Sequence, residues 1–201
     1  MIVVIDYGMG NLGSIANMIK KVGYKCIITS DLEEIKKATK LILPGVGSFD
    51  NGMKNLEKLG MIGVLNQKVL IEKTPILGIC LGMQLMTKSS EEGNLVGLGW
   101  IDAETKKFVS DTFKIPHMGW NIIKHQKISK LFDECESEKK FYFVHSYCVR
   151  CTQKNDILTS TNYTQDFVSS FEKENVIGVQ FHPEKSHKFG MSLIKNFLEN
   201  Y

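Results

Sequence analysis

Residues 75 to 86 read Pro75-Ile76-Leu77-Gly78-Ile79-Cys80-Leu81-Gly82-Met83-Gln84-Leu85-Met86, so that one cysteine stands between two glycines. The apolar residues before the cysteine predict a buried strand, and those after it favour a helix. Gly-x-Cys-x-Gly at such a junction is the thiol counterpart of the nucleophile elbow, a sharp turn that projects the reactive atom above the sheet. The helix N-terminus there favours thiolate over thiol. Cys80 is therefore a candidate nucleophile, although a free cysteine is more often a small buried apolar residue.

Length and composition predict one domain over residues 1–201, since the chain is long enough to bury a sizeable core. The net charge of +3 is too small to argue for a nucleic-acid partner. No stretch approaches the roughly 18 uninterrupted apolar residues of a membrane span. Five cysteines are an odd number, which fits a reducing compartment better than a disulfide framework. We therefore expect a cytosolic protein that binds neither nucleic acid nor membrane.

Cys148-Val149-Arg150-Cys151 matches the Cys-x-x-Cys pattern of redox and zinc sites. It opens no predicted helix, whereas the redox motif gains its low pKa at a helix N-terminus. A zinc site would need two further ligands at suitable spacing, and the sequence offers none. We interpret the pair as a coincidence and expect no metal and no cofactor.

The first half of the chain alternates apolar strands with amphipathic helices joined by short turns. This order predicts an α/β fold with a three-layer, mostly parallel open sheet, a flavodoxin-like core, helices on both faces and a site at the strand C-termini. After Met86 the pattern changes to strands and turns, which predicts an antiparallel extension of the same sheet. In that part we expect strands at 97–101, 106–109, 120–123 and 141–149, a weak helix at 128–132, and a loop at 116–121 near the site or a partner.

A thiol nucleophile needs a base, and the base needs an acceptor that orients it. His182 follows the apolar run 176–181, and Glu184 lies two residues further on. In an extended backbone residues i and i+2 project to the same side, so the carboxylate can hold the imidazole. Cys80, His182 and Glu184 thus form a candidate nucleophile, base and orienting group.

Acyl transfer also needs donors for the tetrahedral oxyanion. The backbone N–H of Leu81, directly after the nucleophile, is where an elbow supplies one donor. The second could come from Val46 in the loop Gly45-Val46-Gly47, which follows a buried strand; a plain tight turn is the alternative interpretation of that loop. Because one donor is worth about 2.7 to 4 kcal/mol of barrier, the conformation of this loop could switch activity.

These residues resemble a known family. Gly78-Ile79-Cys80-Leu81-Gly82-Met83-Gln84 and His182-Pro183-Glu184 are similar to the signature of the class I, triad-type glutamine amidotransferases. A narrower likeness, to the glutaminase subunits of imidazole glycerol phosphate synthases, lies in Pro44 to Gly47, Ile115 to Asn121, Tyr142 to Tyr147 and Gln180 to Ser186. The likeness spans essentially the whole chain. It implies the fold of that family and hydrolysis of L-glutamine to glutamate and ammonia through a thioester on Cys80.

The resemblance also implies which residues bind substrate and partner. The glutamine would be held by Gly45, Gln84, His145, Ser146 and Tyr147, while Trp120 and Lys185 match positions that face the synthase partner. In the family that partner is a cyclase subunit, a (β/α)8 barrel, which forms a heterodimer with the glutaminase. It receives ammonia through a channel for the formation of imidazole glycerol phosphate and AICAR in histidine biosynthesis. The resemblance therefore predicts low activity in isolation and stimulation by a partner.

Other functions stay open at this point. Asp102-Ala103 and Asn11 to Ile15 look like a sister branch whose members supply ammonia through a cyclase-like partner to surface-polysaccharide sugars. A cysteine peptidase or γ-glutamyl hydrolase of related fold would keep the triad but lack the sequences at 116–121 and 145–147. A catalytically dead binding module would be expected to have lost Cys80, His182 or Glu184, and all three are present.

Overall fold

The fold is built on one large mixed sheet covered by helices. The computed structural model describes residues 1–132 and 138–201, so Cys135 lies outside the described residues. The strands are β1 (Ile2–Ile5), β2 (Cys26–Thr29), β3 (Lys40–Leu43), β4 (Ile76–Ile79), β5 (Ser89–Ser90), β6 (Ala103–Lys107), β7 (His117–His125), β8 (Lys139–His145), β9 (Tyr147–Cys151), β10 (Ile157–Asn162), β11 (Asp166–Lys173) and β12 (Val176–Val179). The helices are α1 (Leu12–Lys21), α2 (Leu32–Lys36), α3 (Phe49–Lys58), α4 (Met61–Asn66), α5 (Leu81–Leu85) and α6 (His187–Asn200), with a π-helical turn at Gln67–Ile71 and 3-10 turns at Lys154–Asp156 and Pro183–Lys185.

The predicted division of the sheet into a parallel core and an antiparallel extension is confirmed. Strands β2, β1, β3, β4 and β12 lie side by side and run parallel. From β12 the sheet continues antiparallel through β11, β10, β7 and β8, while β9 joins β11 to β6. The α/β class and the helices on both faces agree with the sequence prediction.

Strand β1 shows why the first strands are continuous apolar runs. Val3 and Ile5 belong to the core on one face of the sheet, which includes residues of α2, α3, α4 and α5. Ile2 and Val4 belong to the opposite core, which includes residues of α1 and α6. Successive side chains of a strand point to opposite faces, so a strand covered on both sides must be apolar at every position.

The order of the strands brings three loops together. Neighbouring strands β3, β4 and β12 are parallel, so their carboxyl ends lie at the same edge of the sheet. Strand β3 leads to Gly45, β4 leads to Cys80, and β12 leads to His182. The cysteine turn therefore lies between the other two loops, at the edge where open α/β sheets assemble their sites.

One predicted strand, at 97–101, is wrong. This segment wraps around the end of α5, and its backbone N–H groups donate to carbonyls of that region: Gly97 to Lys88, Leu98 to Leu85, Gly99 to Thr87 and Ile101 to Met86. The carbonyls at the end of a helix have no partner within the helix. The segment supplies their donors instead of joining a strand.

Two further predictions in the second half differ from the structure. The expected loop at 116–121 belongs largely to β7, whose pairing with β8 runs from His117 opposite His145 to Ile123 opposite Lys139. The expected helix at 128–132 is a turn, because side chains satisfy its backbone: the Leu131 N–H donates to Ser129 Oγ, and Asn196 Nδ2 of α6 donates to the Leu131 carbonyl. Among the described residues, no helix has both the length and the apolar character needed to cross a membrane.

Candidate active site

Cys80 occupies a strained position at the end of β4. Its φ of 53° and ψ of −108° lie outside the regions that L-residues prefer, and the residue forms the N-cap of α5. The flanking glycines allow this turn. A Cβ on Gly82 would lie 1.8 Å from the Leu43 carbonyl oxygen, and one on Gly78 would lie 2.9 Å from the Gly82 backbone. Strain of this kind costs about 1 to 3 kcal/mol and is concentrated at functional sites.

His182 and Glu184 form a buried pair beside this turn. His182 Nδ1 lies 2.8 Å from Glu184 Oε1, and each side chain is about 2% exposed. The pairing was expected, but the extended geometry behind that expectation is wrong: Pro183–Lys185 is a 3-10 turn. The turn is held by a hydrogen bond from Ser186 Oγ to the His182 carbonyl at 2.6 Å. It brings the carboxylate back to the imidazole, while the backbone N–H of His182 donates to the Tyr142 carbonyl.

Opposing effects act on the protonation of His182. Burial lowers the pKa of this imidazole. The Cys80 sulfur and the Glu184 carboxylate raise it by more than burial lowers it, so that the pKa is about 10. Nδ1 is committed to Glu184, and Nε2 is buried without a hydrogen-bond partner in the described part of the chain. Nε2 is therefore the nitrogen that is free to exchange a proton with the thiol or with a bound substrate.

The loop after β3 occupies the donor that an oxyanion would need. The Leu81 N–H donates to the Gly45 carbonyl at 3.4 Å. The loop is fixed on its other side by Tyr7, whose buried hydroxyl donates to the Pro44 carbonyl at 2.6 Å. A Cβ on Gly45 would lie within 2.8 Å of Tyr7, Leu81 and Gly82, so glycine is required there. Val46 is 54% exposed at the tip.

Gln84 lies one helical turn after the cysteine and is nearly fully buried. Its Nε2 donates to the Tyr147 carbonyl at 3.2 Å and to Gln180 Oε1 at 3.0 Å. Both of its N–H groups are thus used within the protein, and the side chain can offer a ligand only its oxygen.

Gln180 is a site residue that the sequence reasoning missed. It is completely buried, and its Nε2 lies 3.6 Å from Cys80 Sγ. In the sequence it stands inside the apolar run that ends at Phe181, which predicts only another strand position. The available signal was its polarity, because a buried amide must find hydrogen-bond partners.

The residues at the end of β8 are held by a second buried network. His145 Nδ1 lies 2.7 Å from the Tyr147 carbonyl, and His145 Nε2 lies 3.1 Å from His117 Nδ1. Burial lowers the pKa of His145 to about 3 and that of His117 to about 4, so both rings are neutral. The Ser146 carbonyl accepts from the Phe108 N–H. The structure thus places residues 145–147 beside Gln84, with their carbonyls at Ser146 and Tyr147 already bonded.

Trp120 and Lys185, the two residues predicted to face a partner, form a surface cluster with the Tyr142 ring between them. Trp120 is 47% exposed, stacks on His187 at 5.5 Å between ring centroids and meets the edge of Tyr142. Lys185 Nζ lies 5.5 Å from the centre of the same Tyr142 ring. Since the Tyr142 carbonyl accepts from the backbone N–H of His182, this cluster is directly bonded to the turn that carries His182 and Glu184.

Cys148 and Cys151 lie in a different environment from Cys80. Burial raises the pKa of Cys148 to about 11 and that of Cys151 to about 12, and both are free thiols on β9. Within residues 1–132 and 138–201, no group of three or more His, Cys, Asp or Glu side chains could hold a metal ion.

Comparison with known proteins gives consistent matches over the whole chain. The profile of the family described as "Glutamine amidotransferase class-I" matches residues 3–201. The chain is 62% identical to a protein of Methanococcus maripaludis named "Imidazole glycerol phosphate synthase subunit HisH 2", over 99% of both chains. It is 50% identical to a protein of the same name from Pseudomonas aeruginosa, again over 99% of both.

Solved structures resemble the fold at much lower identity. A glutamine amidotransferase from Thermotoga maritima aligns with a TM-score of 0.72 at 14% identity, covering 98% of this chain and 96% of the other. A chain in the structure of PurLQS from the same organism aligns with a TM-score of 0.75 at 15% identity, with the same coverage. At such identities the likeness concerns the fold alone.

Proposed function

The chain belongs to the class-I glutamine amidotransferases, and from this membership we propose that it is the glutaminase subunit of an imidazole glycerol phosphate synthase. The observation that carries the proposal is the meeting of Cys80, His182 and Glu184 at the carboxyl ends of β4 and β12, with the 2.8 Å contact between His182 and Glu184. The relatives named above support the synthase assignment over the full length of the chain. We further propose that residues 1–201 act as a single domain.

The proposed chemistry begins when His182 Nε2 takes the proton of the Cys80 thiol and the sulfur attacks the side-chain amide carbon of glutamine. A C–S bond forms, and the carbonyl electron pair moves to oxygen. His182 then gives its Nε2 proton to the leaving nitrogen, the C–N bond breaks, and ammonia leaves a thioester behind. Glu184 holds Nδ1 and stabilises the imidazolium at each stage.

Hydrolysis of the thioester uses the same groups in reverse. Neutral His182 takes a proton from water, and the water oxygen adds to the thioester carbon. When the second tetrahedral species collapses, the C–S bond breaks, the electron pair returns to sulfur, and glutamate is released. The oxyanion in both steps needs N–H donors, for which we propose Leu81 and Val46.

The Leu81 donor is occupied in the resting chain. Its N–H points to the Gly45 carbonyl, so an oxyanion can use it only after this loop has rotated. We propose that Gly45, Gln84, His145, Ser146 and Tyr147 surround the glutamine, with Gln84 contributing its oxygen and residues 145–147 their remaining backbone groups. A site of this kind has low activity until something moves the loop.

We propose that the synthase partner moves it. A cyclase subunit of the (β/α)8-barrel type would contact Trp120 and Lys185, form a heterodimer and receive the ammonia. The attachment of their surface cluster to His182 through Tyr142 supports this placement. Delivery of the ammonia to surface-polysaccharide sugars through a cyclase-like partner is the alternative that Asp102 and Ala103 suggest.

The test is release of ammonia from glutamine by the purified chain, with and without candidate barrel subunits. Cys80→Ala should abolish turnover while the fold and glutamine binding persist. Cys26→Ala, on the outermost parallel strand β2, is the matched control and should retain full activity. Substantial hydrolysis by Cys80→Ala would contradict the proposal. Faster hydrolysis of γ-glutamyl peptides than of free glutamine would identify a γ-glutamyl hydrolase or peptidase instead.

A further inference from the structure

The surroundings of the Cys80 sulfur contain one hydrogen-bond donor that the proposed mechanism does not use. Gln180 Nε2 lies 3.6 Å from Sγ, and the Val144 carbonyl lies 4.0 Å from it. The titratable groups that act on or with the sulfur are His182, paired with Glu184, and Tyr7 behind the loop after β3. Tyr7 is neutral because burial and the nearby thiol both raise its pKa. Because the Tyr7 hydroxyl donates to the Pro44 carbonyl, Gln180 is the uncharged donor that faces the sulfur.

The orientation of the Gln180 amide follows from its partners. A backbone carbonyl can only accept, so the atom of Gln84 that meets the Tyr147 carbonyl must be its nitrogen. The same nitrogen meets one terminal atom of Gln180, which must therefore be the oxygen. The other terminal atom of Gln180, facing the sulfur, is then the NH₂ group. The reverse orientation would place two donors against each other and a carbonyl oxygen against the sulfur.

The Tyr147 carbonyl that starts this assignment is itself fixed. It also accepts from His145 Nδ1, so that His145 carries its proton there and accepts at Nε2 from His117 Nδ1. His117 Nε2 accepts in turn from Asn121 Nδ2. From Asn121 on β7, each group thus donates to the next as far as the Tyr147 carbonyl. Gln84 donates both to this carbonyl and to Gln180, and Gln180 donates to the sulfur.

We propose that Gln180 is a catalytic residue whose side-chain amide donates a hydrogen bond to the Cys80 sulfur and stabilises the thiolate, with Gln84 as the positioning residue that keeps the donor turned toward it. Unlike His182, Gln180 carries no charge and takes no proton. Its hydrogen bond is strong while the sulfur is negative and weak once the C–S bond has formed. It therefore stabilises the Cys80 thiolate before the attack. It also stabilises the negative charge that returns to the sulfur when the C–S bond breaks.

The first test needs no glutamine and so does not depend on the proposed function. The rate of Cys80 alkylation by iodoacetamide is followed against pH by mass spectrometry of the Cys80 peptide. Gln180→Met removes the donor at similar size, and the midpoint should move to higher pH by about one unit, with about tenfold slower alkylation below it. Ser169→Ala, which removes another fully buried polar group from the same sheet, should leave the midpoint unchanged. An unchanged or lower midpoint in Gln180→Met would overturn the proposal.

A second measurement uses the unaltered chain, in case Gln180→Met does not fold. The side-chain amide resonances of Gln180 in ¹⁵N-labelled protein should titrate with the midpoint of Cys80 alkylation and stop titrating after the thiol is blocked. Resonances that ignore both the pH and the blocked thiol would contradict the hydrogen bond.

The third test concerns the thioester and rests on the proposed function. In Gln180→Met the C–S bond should break more slowly, because the leaving sulfur has lost its hydrogen-bond donor. The glutamyl thioester should then accumulate during turnover and be detected as a mass increase of the Cys80 peptide. If the wild-type chain hydrolyses no glutamine even with the candidate barrel subunits, the proposed function fails while the alkylation result still decides the role of Gln180. If wild type turns over and the variant accumulates no thioester, the second half of the proposal is wrong.

Discussion

The Leu81 N–H points at the Gly45 carbonyl, 3.4 Å away, across the gap between the loop after β3 and the cysteine turn. One donor that could stabilise an oxyanion is therefore engaged by the protein itself. Tyr7 behind the loop and the tight packing around Gly45 hold this arrangement in the isolated chain. The candidate catalytic groups and an occupied candidate oxyanion donor thus occur in the same resting structure.

We expect the isolated chain to hydrolyse glutamine slowly and a cognate barrel subunit to raise kcat by about 10² to 10³, the usual effect of one oxyanion donor. The measurement is ammonia release at saturating glutamine with and without the partner, with the Cys80→Ala complex as background. Full activity of the single chain, unaffected by the partner, would show that the Gly45 contact does not limit the rate.

Trp120→Ala should weaken binding of the partner, because a half-exposed tryptophan at the centre of an interface typically contributes about 2 kcal/mol or more, or roughly 30-fold in Kd. Lys185→Ala should act in the same direction. Titration calorimetry measures both. Ile128→Ala, an 84% exposed apolar residue in the turn after β7, is the control and should bind normally. Equal weakening by all three would mean a general loss of fold.

Glu184→Gln should move the alkaline limb of the pH profile for kcat/KM to lower pH. Glu184 raises the pKa of His182, so its loss lets the imidazolium lose its proton earlier, and protonation of the leaving ammonia fails sooner. The new side-chain amide at position 184 keeps an oxygen that can accept the hydrogen bond from Nδ1. The substitution therefore removes the negative charge but not the group that orients the ring. A profile that loses height but keeps its alkaline midpoint would show that the carboxylate only orients the ring.

His117 and His145 should make the fold sensitive to acid. Their pKa values of about 4 and about 3 lie below the value of about 6.5 in an unfolded chain, which therefore binds more protons as the pH falls below 6.5. The contribution of these neutral rings to the free energy of unfolding is fully present above pH 6.5. It decreases toward pH 4, by at most about 1.4 kcal/mol per pH unit for each ring. Denaturant unfolding at pH 7 and pH 5 measures the slope. It should be shallower in His145→Gln than in the wild-type chain.

Substituting alanine for Gly82 and for Gly63 should change the free energy of unfolding in opposite directions. Gly82→Ala places a methyl group against the Leu43 carbonyl and should lower the free energy of unfolding by about 1 to 3 kcal/mol or prevent folding. Gly63→Ala, inside α4 with no neighbouring atom within 4 Å, should raise it by about 0.5 to 1 kcal/mol. A harmless Gly82→Ala would show that the turn at Cys80 does not need this close approach.

The parallel half of the fold could be predicted from the sequence because its signals are local. Strands that are buried on both faces are apolar at every position, and glycines mark the turn at Cys80. The antiparallel half was predicted less well. Residues 97–101 look like a strand, yet they serve the end of α5, and Pro116 to Asn121 look like a loop, yet most of them pair with β8. Those outcomes depend on partners that are distant in the sequence.

The sequence by itself determined the chemical groups of the site: a cysteine at a glycine-bounded turn, and a histidine and glutamate two residues apart. These follow from residue identity and short spacing, which act locally. Only the tertiary structure decided that a 3-10 turn joins His182 to Glu184, that Gly45 occupies the Leu81 donor, and that Gln180 faces the sulfur. Each of these contacts depends on the side-by-side order of β3, β4 and β12, since hydrogen bonds form between atoms a few ångströms apart whatever their separation along the chain.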